Sequence, residues 1–225
     1  MKIDVIIFGA TGMVGEGVLL ETLNHADVER ILLVVRNATG FRHPRVHEII
    51  HDDFFKFDSI AEKLSGYQAC FFCLGTTSVG KNEMEYTLTT YDITLTAAET
   101  LIKVNPGMVF CYVSGMGTDS TEKGKSMWAR VKGKTENDLM KLPFKGVYNF
   151  RPGYIKPVKG QEHAFTASKI IGLFYPLLKL FLSKYICRMD DIANAMIHVS
   201  TKGYSKHILE NKDITELGNA YKSSY

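Results

Sequence analysis

The sequence has no long run of lysine and arginine, and its formal net charge is only +3 over 225 residues. It therefore lacks the dense cationic face that grips a phosphate backbone, and no nucleic-acid partner is expected. It has little that a bilayer would hold. The most lipid-like stretch, residues 170–182, is interrupted by Lys179 and is too short to span a membrane. Internal repeats and low-complexity linkers are absent, so one domain is expected over 1–225, with residues from about 154 onward forming a small substrate-side extension. No secretory leader is evident, because Met1-Lys2 runs straight into a strand pattern. A cytoplasmic location follows as the expectation.

Cysteine is scarce too, at four residues: Cys70, Cys73, Cys111 and Cys187. Cys70 and Cys73 have the C-x-x-C spacing of a redox or metal site, but they lie in an apolar run that reads as a strand. Residues three apart in a strand point to opposite faces. Thiols so placed share neither a metal nor a disulfide readily, so buried structural cysteines and no metal centre are expected. His47 and His51 beside the third strand lack partners at metal-ligand spacing, and both read as solvated.

What is present is an α/β alternation that starts at the N-terminus. Val5 to Phe8 form an unbroken apolar run, read as a strand buried on both faces. Gly9, Gly12 and Gly15 follow with G-x-x-G-x-x-G spacing, and a helical pattern from about Met13 to Asn24 comes next. Gly9 suits a tight turn, Gly12 a close approach of backbone to a pyrophosphate, and Gly15 a close contact of helix with strand. The free N–H groups and positive dipole end of that helix form an anion site. Glycines at turns are common, but strand, glycines and helix in this order point to a dinucleotide.

Further strands are expected at Ile31–Val35, Val46–Ile50, Tyr67–Leu74, Met108–Val113 and Gly146–Phe150. Helices are expected at Ser59–Leu64, Glu83–Lys103 and from Ser126, as cap, to about Met140. Arg36 and Asn37 stand where the second strand ends. An acid there serves the ribose of NAD, whereas an arginine accommodates the 2′-phosphate of NADP. Arg36 also reads as a simple exposed strand-end arginine. Asp53 and Phe54 read as the frame of a flat purine. Leu74, Gly75 and Thr76, at the end of the fourth strand, face the same crevice. The stretch Gly115 to Lys125 reads as a mobile loop over the cofactor. Arg151, Pro152, Gly153 and Tyr154 read as a rigid turn at the same rim.

The alternation breaks after Gln161. Residues 164–182 look helical, kinked at Pro176, and apolar nearly all round. Burial against the sheet, a homodimer or protein-partner face over 164–188, and weaker contact with a membrane surface all remain open. Asp190 and Asp191 read as the start of another helix, and the tail as a short strand and a last helix.

Five segments together resemble the atypical short-chain dehydrogenases/reductases, in particular the oxidoreductase HTATIP2/TIP30-like branch. They are Gly9-Ala10-Thr11-Gly12-Met13-Val14-Gly15, Cys73-Leu74-Gly75-Thr76-Thr77, Val131-Lys132-Gly133, Phe150-Arg151-Pro152-Gly153 and Leu209-Glu210-Asn211-Lys212. The likeness runs from about Ile3 to Ala220. It implies an α/β Rossmann-like fold, a doubly wound parallel sheet with helices on both faces and a small C-terminal extension. It also implies NADP(H) as cofactor, in preference to NAD(H). By resemblance, Thr11, Gly12, Met13 and Val14 hold the pyrophosphate, and Arg36 and Asn37 the 2′-phosphate end. Asp53 and Phe54 flank adenine, Leu74 and Gly75 line the ribose and nicotinamide region, and Ile155 touches the nicotinamide side.

The same resemblance implies catalysis by a serine and a Tyr-x-x-x-Lys pair. Ser114 and Lys132 match, but the tyrosine position holds Trp128. An indole N–H donates a hydrogen bond yet does not shuttle a proton near neutral pH. Two functions remain: a reductase of an unidentified small carbonyl substrate with another proton donor, Tyr154 or water, or a non-catalytic module that reports NADPH to a partner. A sugar-nucleotide epimerase fits the fold but needs a larger substrate domain than follows Gly153.

Overall fold

The computed structural model describes residues 2–158, 160–161 and 185–222. The expected helix over 164–182, with Lys169 and Lys179, lies outside the described residues. Seven parallel strands form one sheet in the order β3-β2-β1-β4-β5-β6-β9. In chain order they are β1 (Ile3–Phe8), β2 (Val28–Val35), β3 (Val46–Ile50), β4 (Ala69–Phe72), β5 (Val109–Val113), β6 (Gly146–Arg151) and β9 (Ile208–Glu210). The α/β Rossmann-like fold read from the sequence is the fold observed.

Alternation along each strand feeds two apolar layers. Val5 and Ile7 of β1, with Leu33, Phe71 and Phe150, join the core under α1 (Met13–Leu23), α5 (Met189–Lys202) and α6 (Asn211–Lys222). Ile6 and Phe8, with Val34, Phe72 and Phe110, join the opposite core. That side is covered by a 3₁₀ segment at Asp58–Leu64, by α3 (Ile93–Val104) and by α4 (Met127–Leu139). Cys70 packs in the second core and Cys73 against the first, the opposed placement that their spacing demands.

The expected helix from Glu83 to Lys103 is present but interrupted. α2 (Glu83–Thr87) begins with an Asn82–Glu85 capping box, and a π turn over Leu88–Asp92 joins it to α3. Threonine hydroxyls bond back to carbonyls one turn earlier here: Thr87 to Glu83, Thr89 to Glu85 and Thr94 to Thr90. Such back-bonding competes with the helical ladder and loosens it. Ser126 occupies the N-cap position of α4, but its side chain makes no capping bond, contrary to expectation.

Three further corrections concern the surroundings of the sheet. His51 is buried, not solvated: its Nε2 lies 2.6 Å from the Lys56 carbonyl and its ring 5.2 Å from that of Phe57. Residues after the Pro152-Gly153 turn form a small parallel sheet of β7 (Tyr154–Lys156) with β8 (Ile186–Arg188). The stretch 115–125 is fastened down rather than mobile. Asp119 N–H donates to the Ala129 carbonyl at 3.0 Å, Asn137 donates to the Ser120 carbonyl at 3.0 Å, and Arg151 donates to Ser120 Oγ at 2.5 Å.

Candidate functional site

From β1 the chain steps one way across the sheet to β2 and β3, then returns to β4 on the other side. The carboxyl ends of β1 and β4 therefore diverge at a switch point, where sheets of this kind open a crevice. The glycine loop fills the gap. Gly9 has φ +80, and a Cβ there would come within 2.6 Å of the Leu74 backbone. A Cβ on Gly15 would fall 2.1 Å from the Gly9 carbonyl oxygen, so α1 can only sit this close through glycine. Gly12 differs. It is the N-cap of α1 with φ −97 and no side-chain cap, and its added Cβ would meet only the Gly9 oxygen, at 3.4 Å. Gly75 faces open space. The turn is thus built tightly on its protein side and left open on its outer side.

Two adjoining cavities run from this loop across the strand ends. One, of about 200 Å³, is lined by Gly9, Thr11, Arg36, Asn37, Phe54 and Leu74, among others. The other, of about 350 Å³, shares Arg36, Phe54 and Leu74 with it and adds Asp52, Phe55, Gly75, Thr76 and Lys81. Gly9, Thr11, Arg36, Asn37, Phe54, Leu74, Gly75 and Thr76 therefore meet at one place, whereas Gly12, Met13 and Val14 of the expected loop line neither cavity; two further differences stand out. Asp52, not Asp53, lines the wall, because Asp53 Oδ1 instead accepts from the Phe55 N–H at 3.0 Å. Lys81 was not singled out by the sequence, where it reads as an ordinary loop lysine.

The rim at the ends of β5 and β6 carries Ser114 and Lys132. Ser114 is buried, and its hydroxyl lies 2.5 Å from Glu136 Oε1 and 3.1 Å from the Phe150 carbonyl. Both neighbours are acceptors and a hydroxyl has one proton, so the Ser114 proton is committed inward. Glu136 is fully buried and is held by Arg151, with Nη2 to Oε2 at 2.5 Å and Nε to Oε1 at 3.0 Å. Arg151 also reaches Glu210 at 3.2 Å. The sequence reading missed Glu136 as a site residue. Its one available signal is the four-residue offset from Lys132, which puts both on one helix face.

Lys132 Nζ donates to the Ser114 backbone carbonyl. Burial pushes its ammonium down to about 8, against the opposing pull of the Glu136 carboxylate. The Trp128 ring packs toward the 115–118 turn, where a Cβ on Gly117 would lie 3.5 Å from it. The Pro152 carbonyl accepts from the Met116 N–H at 2.9 Å, and the Gly153 N–H donates to Asn211 Oδ1 at 3.1 Å. Tyr154 is half-buried, and burial raises its phenol above the usual value. Ile155 departs from expectation. As the middle residue of β7 its side chain turns inward, and it is buried in the core that holds Cys187 and Met189. Met13 and Val14, in the first turn of α1, are partly buried against the same core.

Solved structures share this fold, an α/β sheet with a glycine-rich turn at its switch point. The NAD⁺ complex of the Bordetella bronchiseptica enzyme WbmF matches at TM-score 0.64 and 15% identity, over 99% of this chain and 78% of that one. ADP-L-glycero-D-manno-heptose-6-epimerase of Helicobacter pylori matches at 0.67 and 14%, over 98% and 83%. The dTDP-glucose 4,6-dehydratase DesIV of Streptomyces venezuelae, solved with NAD bound, matches at 0.65 and 15%, over 99% and 81%.

By sequence, the chain is 28% identical over 175 residues to the mitochondrial protein FMP52-2 of Scheffersomyces stipitis, covering 77% of this chain and 75% of that protein. It is 24% identical over 201 residues to mitochondrial FMP52 of Debaryomyces hansenii, covering 87% of each. No protein-family model matches the chain. These relatives carry the name FMP52, not that of the HTATIP2/TIP30-like branch. Their names also overturn the cytoplasmic expectation, since each is called mitochondrial.

Proposed function

We propose that this chain binds NADP(H) across the ends of β1, β2 and β4 and is oxidoreductase-like. The carrying observation is the crevice itself: glycines that leave its outer side open, and Arg36 on the wall shared by both cavities. The residues suit the group. Thr11, Gly12, Met13 and Val14 present the start of α1 to the pyrophosphate. Arg36 and Asn37 offer donors to a 2′-phosphate. Phe54 and Leu74 give a purine apolar walls, and Lys132 offers its ammonium to ribose hydroxyls. When bound, the cofactor would supply a hydride. The chain's own part is to orient the carbonyl that receives it and to deliver a proton. Trp128 Nε1 can hold a carbonyl oxygen but not protonate it, which leaves Tyr154 or water as donor.

The ordered motifs support a place near the HTATIP2/TIP30-like branch, and the FMP52 names support a mitochondrial location. A second reading, a cofactor-binding module that reports to a protein partner without turnover, is favoured by one observation. The Ser114 proton is spent on Glu136, so serine and tyrosine functions are both withdrawn from the rim. Calorimetric titration of NADPH into wild type and Gly12→Val tests the common core of both readings. Binding by wild type and its loss in the folded variant support the site. Equal binding by both proteins contradicts it.

A further inference from the structure

The larger cavity holds a second cation that the dinucleotide reading does not need. Lys81 enters it from the loop between β4 and α2, while Arg36 enters from the end of β2. β2 and β4 flank β1 on opposite sides, so the two cations approach one space from its two sides. Neither has an ion-pair partner among the described residues. Among the described residues, Asp52 is the one carboxylate on that wall, so their side chains give the cavity a net positive charge.

Lys81 is not loose in solvent. Its Nζ donates to Thr76 Oγ1 at 2.8 Å, which ties the ammonium to the strand-end segment that floors the cavity. One of its three donors is used there and two remain. Phe54 and Phe55 beside it form an apolar wall suited to a purine. A flat base with a doubly charged substituent is the ligand this composition fits. A phosphate monoester near neutral pH carries nearly two negative charges, and one guanidinium neutralises only one of them.

We infer that Lys81 and Arg36 form a two-sided clamp on the 2′-phosphate of the adenosine ribose, so that cofactor choice is set by a pair of cations and not by Arg36 alone. This rests on the NADP(H) reading above. Thr76 is then a positioning residue, which holds the Lys81 ammonium ready.

Fluorescence titrations of NADPH and NADH into wild type, Lys81→Met, Lys81→Arg and Arg36→Ala test the clamp, with NADH binding as the check on folding. Loss of one charge-assisted phosphate contact should weaken NADPH about 10- to 100-fold in Lys81→Met and leave NADH unchanged. Lys81→Arg should keep most of the NADPH affinity. Unchanged NADPH affinity in Lys81→Met, with a selective loss in Arg36→Ala, overturns the clamp while leaving the cofactor reading standing. Equal losses for both cofactors in Lys81→Met also overturn it. A wild type that binds neither dinucleotide overturns the cofactor reading and the clamp together.

Discussion

The Ser114 hydroxyl lies 2.5 Å from Glu136 Oε1, and both side chains are buried. This contact joins the rim of the proposed site to an ion pair that holds several elements together. Arg151 at the end of β6 clasps Glu136 of α4, reaches Ser120 in the 115–125 stretch and touches Glu210 of β9. Removing the acid would leave the Arg151 guanidinium with the half-exposed Glu210 as its remaining charged partner among the described residues.

Glu136→Ala is expected to destabilise the fold by about 3–5 kcal/mol, the usual cost of breaking a buried pair from one side. Glu210→Ala removes a largely exposed partner and should cost less than about 1 kcal/mol. Denaturant unfolding of the two variants measures the contrast, and similar losses would show that Arg151 does not depend on Glu136.

The outline of this fold was legible because each early element carries its own signal. The apolar run before Gly9, the strand at Ile31–Val35 and the helix stop at Asn105 all speak through local pattern. The buried ion pair does not. Glu136 and Arg151 are 15 positions apart on different elements, and singly each looks like a solvated charge. The π turn at Leu88–Asp92 was hidden because threonines in a helix give no periodic mark. The β7–β8 sheet pairs residues on either side of the 162–184 segment, and three-residue strands are too short for alternation to show. Lys81 was missed for a related reason, since only the fold carries its loop beside Arg36.

The glycines of the turn should separate folding from binding. Gly15→Ala places a Cβ 2.1 Å from the Gly9 carbonyl oxygen, so it should lower the melting temperature strongly. Gly12→Ala meets nothing closer than 3.4 Å and has an unstrained φ, so it should melt within a few degrees of wild type while losing cofactor affinity. Melting curves with and without NADPH check both. A Gly12→Ala protein that is still stabilised by NADPH would place the phosphates elsewhere.

Lys132 predicts a pH dependence. Its ammonium, ordinarily near 10.5, is held down to about 8 in the free protein. Binding of a polyanion favours the charged form and raises that value, so the complex takes up a proton above about pH 8. NADPH affinity should therefore fall as pH rises through 8, by up to tenfold per unit, and the slope should vanish in Lys132→Met. A wild-type profile flat from pH 7 to 9.5 would remove Lys132 from the cofactor's reach.

Trp128→Tyr places a phenol on the helix face that carries Lys132. A placed general acid typically contributes about 10²–10⁴-fold, so NADPH-dependent reduction of small aldehydes and ketones should rise over wild type. The assay is NADPH consumption across a carbonyl panel. If wild type turns over and the variant is no faster, Tyr154 or water already delivers the proton. If neither turns over while both bind NADPH, the reporting module is the better reading.

The proposed NADP(H) site stands on the cation at the end of β2, Arg36, with Lys81 opposite it. Its most direct test is the ratio of NADPH to NADH affinity in wild type and in Arg36→Ala, measured side by side at one salt concentration. NADPH is expected to bind more tightly than NADH by about tenfold or more in wild type, and that ratio is expected to fall about tenfold or more in the variant, with NADH binding unchanged. Equal affinity for the two dinucleotides in wild type would contradict it.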